Sequence, residues 1–303
     1  MVTNSFVADF KTNLILNKYL REIRHKEVKP NTKGTYSYCY MFSNHVVLKN
    51  ISKIDFTPEV IDRLVKAFNE KQTLIHSLKQ KFDINTPDIF AYYKGAHHFY
   101  QMQERAKGTI LSVFYPSTAR AITFKTGVLD NNDSAEALAS EDKIQPYERD
   151  AIGRAMAIYN IAMQKQLKEA NVDVYKKFVK DFKTLIENGV SIDVTRSENF
   201  LFDKKTGFWF VDLAKQSEGY SVPSDFDISK MIFSAFADFK TYIHFMNAKQ
   251  ATTILKNMDT INLKLYKAIK ENRFDLTPEQ DKAIFMQSKA SEKAIENLGM
   301  LTK

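Results

Sequence analysis

A chain of 303 residues, 44% hydrophobic and 26% charged, can bury a large core in one or two domains and has an ordinary globular composition. Its net charge of +8 comes from lysines spread along the chain; with no zinc-finger or RNA-binding signature beside them, they suit a solvated surface or nucleotide phosphates, and nucleic acid is not indicated. The lone Cys39 excludes an intramolecular disulfide and a thiolate metal cluster, and no apolar run approaches the roughly 20 residues of a membrane span. Met1 to Phe10 lacks a charged region followed by an apolar core, so no secretory signal is expected and a cytoplasmic location is.

Taken in chain order, Phe6 to Arg24 reads as a short amphipathic helix, and Glu27 to Asn50, rich in Tyr, Phe and Val, as a β-hairpin. Thr57-Pro58-Glu59 is a helix start, with an N-cap threonine and proline at the first helical position. Val60, Ile61, Leu64, Val65, Phe68, Leu74, Ile75 and Leu78 then recur at helical spacing to about Lys81. Ile89 to Tyr93 and His98 to Gln103 predict two strands around a turn at Lys94-Gly95, and Lys107-Gly108 breaks the pattern. Beyond it the chain reads as mostly helical. Polar loops fall at Asn131 to Ser134 and Ser140 to Asp142. Helices are expected over Glu148 to Ala170, Val172 to Asn188 with Gly189 as the stop, Ile228 to Phe245, Thr252 to Asn272 and Pro278 to Leu298.

The most informative stretch is residues 190–214. Asp193, Arg196 and Asn199 share one tight loop, and an apolar hairpin through Phe208, Trp209, Phe210 and Val211 ends on Asp212. Such a hairpin brings Asn199 and Asp212 together. An amide oxygen facing a carboxylate is a hard-oxygen site suited to Mg²⁺ carried by nucleotide phosphates. Other metal sites have less support. His97 and His98 are adjacent, so their rings point to opposite faces of a strand, and the remaining histidines lack helical partners. Cys39 reads as a small apolar packer, and Trp209 as core.

These residues resemble the catalytic core of the protein-kinase-like superfamily, where the loop reads H-R-D-L-K-x-x-N and the metal segment D-F-G. Arg196-Ser197-Glu198-Asn199 matches K-x-x-N, and Asp212-Leu213-Ala214 stands in place of D-F-G. Two departures are plain. Ser191 and Ile192 replace His-Arg, and Asp193 precedes Asn199 by six residues rather than five, so Val194 holds the strictly aligned position. Earlier, Gly34 to Tyr40 looks like the second half of a glycine-rich loop, with Gly34 and Ser37 at its second and third glycines and Lys33 at its first. Val46-Val47-Leu48-Lys49 is similar to V-A-I-K, and Glu70, 21 residues on, stands where the acidic partner of that lysine belongs. Met102 to Gly108 resembles the hinge, and Asp227 the acid that buttresses the loop, with a plain helix N-cap as the alternative.

The resemblance implies an α+β, two-lobed kinase-like fold: a small antiparallel sheet with one helix at 1–105, and a mainly helical lobe at 106–303. It implies that Gly34, Ser37 and Lys49 hold phosphates, Glu70 holds Lys49, and the Glu104 and Ala106 backbone meets adenine. Asn199 and Asp212 would bind Mg²⁺, Arg196 would stabilise transferring charge, and Asp193 would take the acceptor's proton. Two functions stay open. One is an ATP- and Mg-dependent phosphotransferase acting on a hydroxyl of an unidentified protein or small molecule, in the manner of an atypical or aminoglycoside/choline-type kinase. The short span from Ser217 to Ser224, without an Ala-Pro-Glu segment, leans that way. The other is a pseudokinase-type binding module, favoured by the missing His-Arg and the shifted Asp193.

Overall fold

The computed structural model describes residues 10–25, 32–33, 37–42, 45–51, 56–95, 98–111, 146–216, 219–237 and 246–289. The chain divides into two compact units, Met1–Ala106 and Lys107–Lys303. It is a mixed α+β protein, with a small antiparallel sheet and a mostly helical remainder. The Gly34 turn and the polar loops expected at 131–134 and 140–142 lie outside the described residues. Among the described residues, no helix is long and apolar enough to cross a membrane.

The first unit carries helix α1 (Phe10–Arg24), strands β1 (Thr32–Lys33), β2 (Ser37–Met41) and β3 (Val46–Ile51), helix α2 (Pro58–Phe82), and strands β4 (Ile89–Lys94) and β5 (Phe99–Glu104). The strands form one antiparallel sheet in the order β1-β2-β3-β5-β4. Successive side chains leave opposite faces of a strand, so each face needs its own cover. Leu16 and Leu20 of α1 pack with Tyr40, Leu48, Tyr93, Tyr100 and Met102 on one face. Phe68 and Ile75 of α2 pack with Ile89, Tyr92 and Phe99 on the other. The register skips a residue between Ile89 and Ala91, which leaves the bulge residue Phe90 exposed. Helix α2 begins as its sequence dictates: the Thr57 hydroxyl accepts from the Val60 N–H at 3.3 Å, with Pro58 in the first turn.

The second unit carries β6 (Thr109–Ile110), α3 (Pro146–Glu169), α4 (Val172–Glu187), β7 (Val190–Ser191), β8 (Phe200–Asp203), β9 (Gly207–Phe210), β10 (Ala214–Lys215), α5 (Asp225–Ala237), α6 (Ala248–Glu271) and α7 (Pro278–Ser288). Its core is aromatic. Phe178 and Phe182 of α4, Phe200 of β8, Phe208 and Phe210 of β9 and Phe236 of α5 meet with ring centroids 4.7–6.3 Å apart. The β8–β9 hairpin is thereby wedged into the helices. Strand β6 adds to the hairpin's edge, pairing Thr109 with Phe202. The chain approaches that edge at Gly108 (φ +90°), where an added Cβ would stand 2.3 Å from the Phe202 carbonyl oxygen. Gly189 (φ +71°) ends α4 in the left-handed conformation that suits glycine.

Side chains close the helix ends. Lys264 of α6 donates to the carbonyls of Lys168 and Ala170 at 2.6 and 2.7 Å, capping α3, and burial lowers its pKa. Lys183 of α4 meets both carboxylate oxygens of Asp225 at 2.5 and 2.6 Å, and Asp225 also accepts from the Asp275 N–H at 2.7 Å. Asp227, expected as the buttress, is instead a first-turn residue of α5. It bonds Ser224 at 2.7 Å and Lys230 at 3.0 Å. The tertiary acid at this helix start is Asp225, which the motif match passed over.

Candidate functional site

Three short backbone links assemble the loop of the second unit. Ser191 pairs with Ala214 and Val190 with Lys215, joining β7 to β10. The β8–β9 register, Phe200 opposite Phe210 and Leu201 opposite Trp209, sets the hairpin. One step beyond it, the Val211 N–H donates to the Asn199 carbonyl at 2.9 Å. Between these ties the chain runs from Ser191 to Asn199 on one side and from Val211 to Ala214 on the other. From the Ser191–Ala214 pair each turns one residue inward, Ile192 (6% exposed) and Leu213 (1%). Each then turns one residue outward, to the exposed Asp193 and Asp212. Both carboxylates therefore lie on residues open to solvent.

Asn199 (9% exposed) closes this arrangement. Its Nδ2 donates to the Asp193 carbonyl at 3.1 Å. Because that partner is a carbonyl, the amide's nitrogen end must face it. The Oδ1 end then points the other way and is the end able to meet a cation. Asp212 has φ +56°, a left-handed conformation that an aspartate adopts at a cost and that recurs at functional sites. An amide oxygen and a carboxylate are both hard-oxygen donors, the kind that suits a hard cation better than a soft metal.

The segment from Asp193 to Asn199 absorbs its extra residue in a turn at Val194-Thr195 followed by a 3₁₀ turn over Ser197–Asn199. The Asp193 Oδ1 accepts from the Thr195 N–H at 3.0 Å and from its hydroxyl at 2.6 Å. The exposed Arg196 lies with Nε 3.8 Å from Asp193 Oδ2. Sequence reading missed Thr195; a hydroxyl two residues after an Asx is the only local signal for such a contact. It missed the β7–β10 pair as well, since two-residue strands carry no periodicity.

At the far end of the hairpin Asp203 holds the turn. Burial raises its pKa, but the Thr206 N–H and hydroxyl and the Lys205 N–H outweigh that and hold it below the usual carboxylate range. Trp209 Nε1 donates to the Thr206 hydroxyl at 2.8 Å. The Tyr159 hydroxyl donates to the Ile110 carbonyl at 2.9 Å, and burial pushes its pKa up.

In the first unit, Lys49 is half-buried on β3, opposite Cys39 on one side and the buried Gln101 on the other. It leaves the sheet on the same face as Ile51, which packs with the α2 cluster. Glu70 follows the sheet-packed Phe68 by two residues, about 200° further round the helix. Glu70 is half-buried there. Ser37 opens β2, and Gly34 is outside the described residues. Glu104 ends β5. Its N–H donates to the Asp88 carbonyl at 2.7 Å, while Lys79 joins the Asp88 and Glu104 carboxylates at 2.7 and 3.4 Å. The Arg105 N–H donates to the His45 carbonyl at 2.8 Å.

No protein-family model matches this chain, and no curated protein sequence does. Among solved structures, several kinases and phosphotransferases are similar to it at low scores. The bifunctional kinase-methyltransferase WbdD is 12% identical with a TM-score of 0.34, over 84% of this chain and 47% of that one, so the chain spans about half of it. The Cydia pomonella granulovirus kinase PK-1 is 11% identical with a TM-score of 0.36, over 90% and 92%. The Streptomyces rimosus aminoglycoside phosphotransferase APH(3'')-Id is 10% identical with a TM-score of 0.32, over 94% and 99%.

Proposed function

We propose that this chain is a kinase-like phosphotransferase that moves the γ-phosphoryl group of ATP to a hydroxyl acceptor with the help of Mg²⁺. The observation that carries this reading is that Asp193 and Asn199 share one loop, tied by the Asn199–Asp193 bond, and that the Val211–Asn199 bond brings the residue before Asp212 against it. Asn199 Oδ1 and the Asp212 carboxylate would hold the ion. When bound, it neutralises charge on the phosphates. Asp193 takes the acceptor's proton. The acceptor oxygen forms its bond to phosphorus as the bond to the β-phosphate oxygen breaks and ADP leaves. Arg196, one turn of loop away, offers a guanidinium to the oxygens of the moving group. In the first unit, Lys49 and the hairpin with Gly34 and Ser37 are assigned to the phosphates, and the Glu104 and Ala106 backbone to adenine. Glu70 on α2 is assigned to hold the Lys49 ammonium.

A second reading, a nucleotide-binding module without transfer, rests on Ser191 and Ile192 in place of His-Arg and on the shifted Asp193. Asp193→Asn separates the two. A phosphotransferase should lose about 10²–10⁴-fold in ADP production, the usual worth of a general base, while MgATP binding by calorimetry stays within about twofold. Equal ADP production by parent and variant would remove Asp193 as base. A parent that neither binds nor consumes MgATP would end the enzyme reading.

A further inference from the structure

We propose that Thr195 is a self-modification site, an acceptor hydroxyl built into the chain's own loop; this rests on the phosphotransferase reading above. The Thr195 hydroxyl donates to Asp193 Oδ1 at 2.6 Å, so it already occupies the position relative to the base that an acceptor must reach. Thr195 is exposed, and no core packing hinders a phosphate there. Asp193, whose carboxylate receives that hydroxyl, also accepts the Asn199 amide on its carbonyl at 3.1 Å. Hydroxyl, base and candidate metal ligand thus share the seven residues from 193 to 199. That proximity makes transfer within the chain unimolecular, with the high effective concentration such geometry brings.

The step balances. Thr195 Oγ1 bonds the γ-phosphorus of ATP, its proton passes to Asp193, the bond to the β-phosphate oxygen breaks, and ADP departs. Arg196 follows in sequence, with Nε 3.8 Å from Asp193 Oδ2, and supplies a cation for the new dianion. The product removes the hydroxyl donor from Asp193, leaving the Thr195 N–H, and sets a phosphate beside it, so the reaction stops after one transfer per chain.

The test is to strip the purified chain with a phosphatase, remove the phosphatase, add MgATP, and map phosphate by peptide mass spectrometry. Phosphate should accumulate on Thr195 toward one per chain, at a first-order rate independent of protein concentration. Asp193→Asn should slow it about 100-fold or more, Thr195→Ser should be labelled, and Thr195→Val should leave that peptide unlabelled. MgATP binding is read separately, by thermal shift. An unmodified Thr195 in a chain that MgATP stabilises would overturn the proposal alone, leaving the contact as a turn cap. No stabilisation by MgATP would overturn the underlying function as well.

Discussion

Replacing Gly108 by alanine probes the contact that seats the start of the second unit against the hairpin. Gly108 has φ +90°, and its added Cβ would lie 2.3 Å from Phe202 O, 2.5 Å from Phe202 C and 2.8 Å from Asp203 N. All three are backbone atoms of β8, so no side chain can swing aside. Two costs add. Left-handed backbone costs an L-residue about 1–2 kcal/mol, and forced displacement in a packed region costs about 1–3 kcal/mol. The expected loss is therefore about 2–5 kcal/mol, or roughly 4–20 °C in Tm for a unit of this size. Gly189→Ala is the control, since φ is +71° there and nothing lies within 4 Å of the added Cβ; it should show the backbone cost alone, about 1–2 kcal/mol. Urea unfolding with both m-values checked reads the difference. Equal destabilisation by the two variants would refute the claim that β8 and the chain at 108 are in close contact.

Two further outcomes follow from side-chain geometry. Lys183→Met leaves Asp225, whose side chain is 15% exposed, with only the Asp275 N–H; the loss should be about 1.5–3 kcal/mol, as for a charged hydrogen bond. A change under about 0.5 kcal/mol would show the ion pair to be idle. Asp203 has a depressed folded pKa, so its stabilisation is present above the unfolded value of about 3.9 and is lost as pH falls through the lower folded value. The stability gap between parent and Asp203→Asn should hold from pH 7 to about pH 4 and close below that; a gap undiminished at pH 2.5 contradicts the assigned bonds.

What could be read from the residues alone was what local chemistry dictates. Thr57-Pro58 fixed the start of α2, and periodicity carried it to Phe82. The Phe208-Trp209-Phe210 run announced the buried strand that leads to Asp212. The links β7–β10 and β6–β8 were not legible, because two-residue strands exist only through partners far along the chain. Gly108 read as a break, whereas its reason is close approach to Phe202. The helical phase that placed Phe68 on the apolar side of α2 was legible, and Phe68 packs against the sheet. Asp225 was overlooked in favour of Asp227 because a motif aligns residues by position. Which acid reaches Lys183 depends on how α4 and α5 pack.

The central claim is that Asn199 and Asp212 form a cation site for a nucleotide's metal. Asp212→Asn suits the test because asparagine tolerates the left-handed φ of +56° while losing the charge. The decisive measurement is thermal unfolding of parent and variant with ATP, in the presence and absence of Mg²⁺. The parent should gain about 2.7 kcal/mol at a hundredfold excess of MgATP over its Kd, and the Mg-dependent part should vanish in the variant. Stabilisation of Asp212→Asn by MgATP equal to the parent's, or none in either, would contradict it.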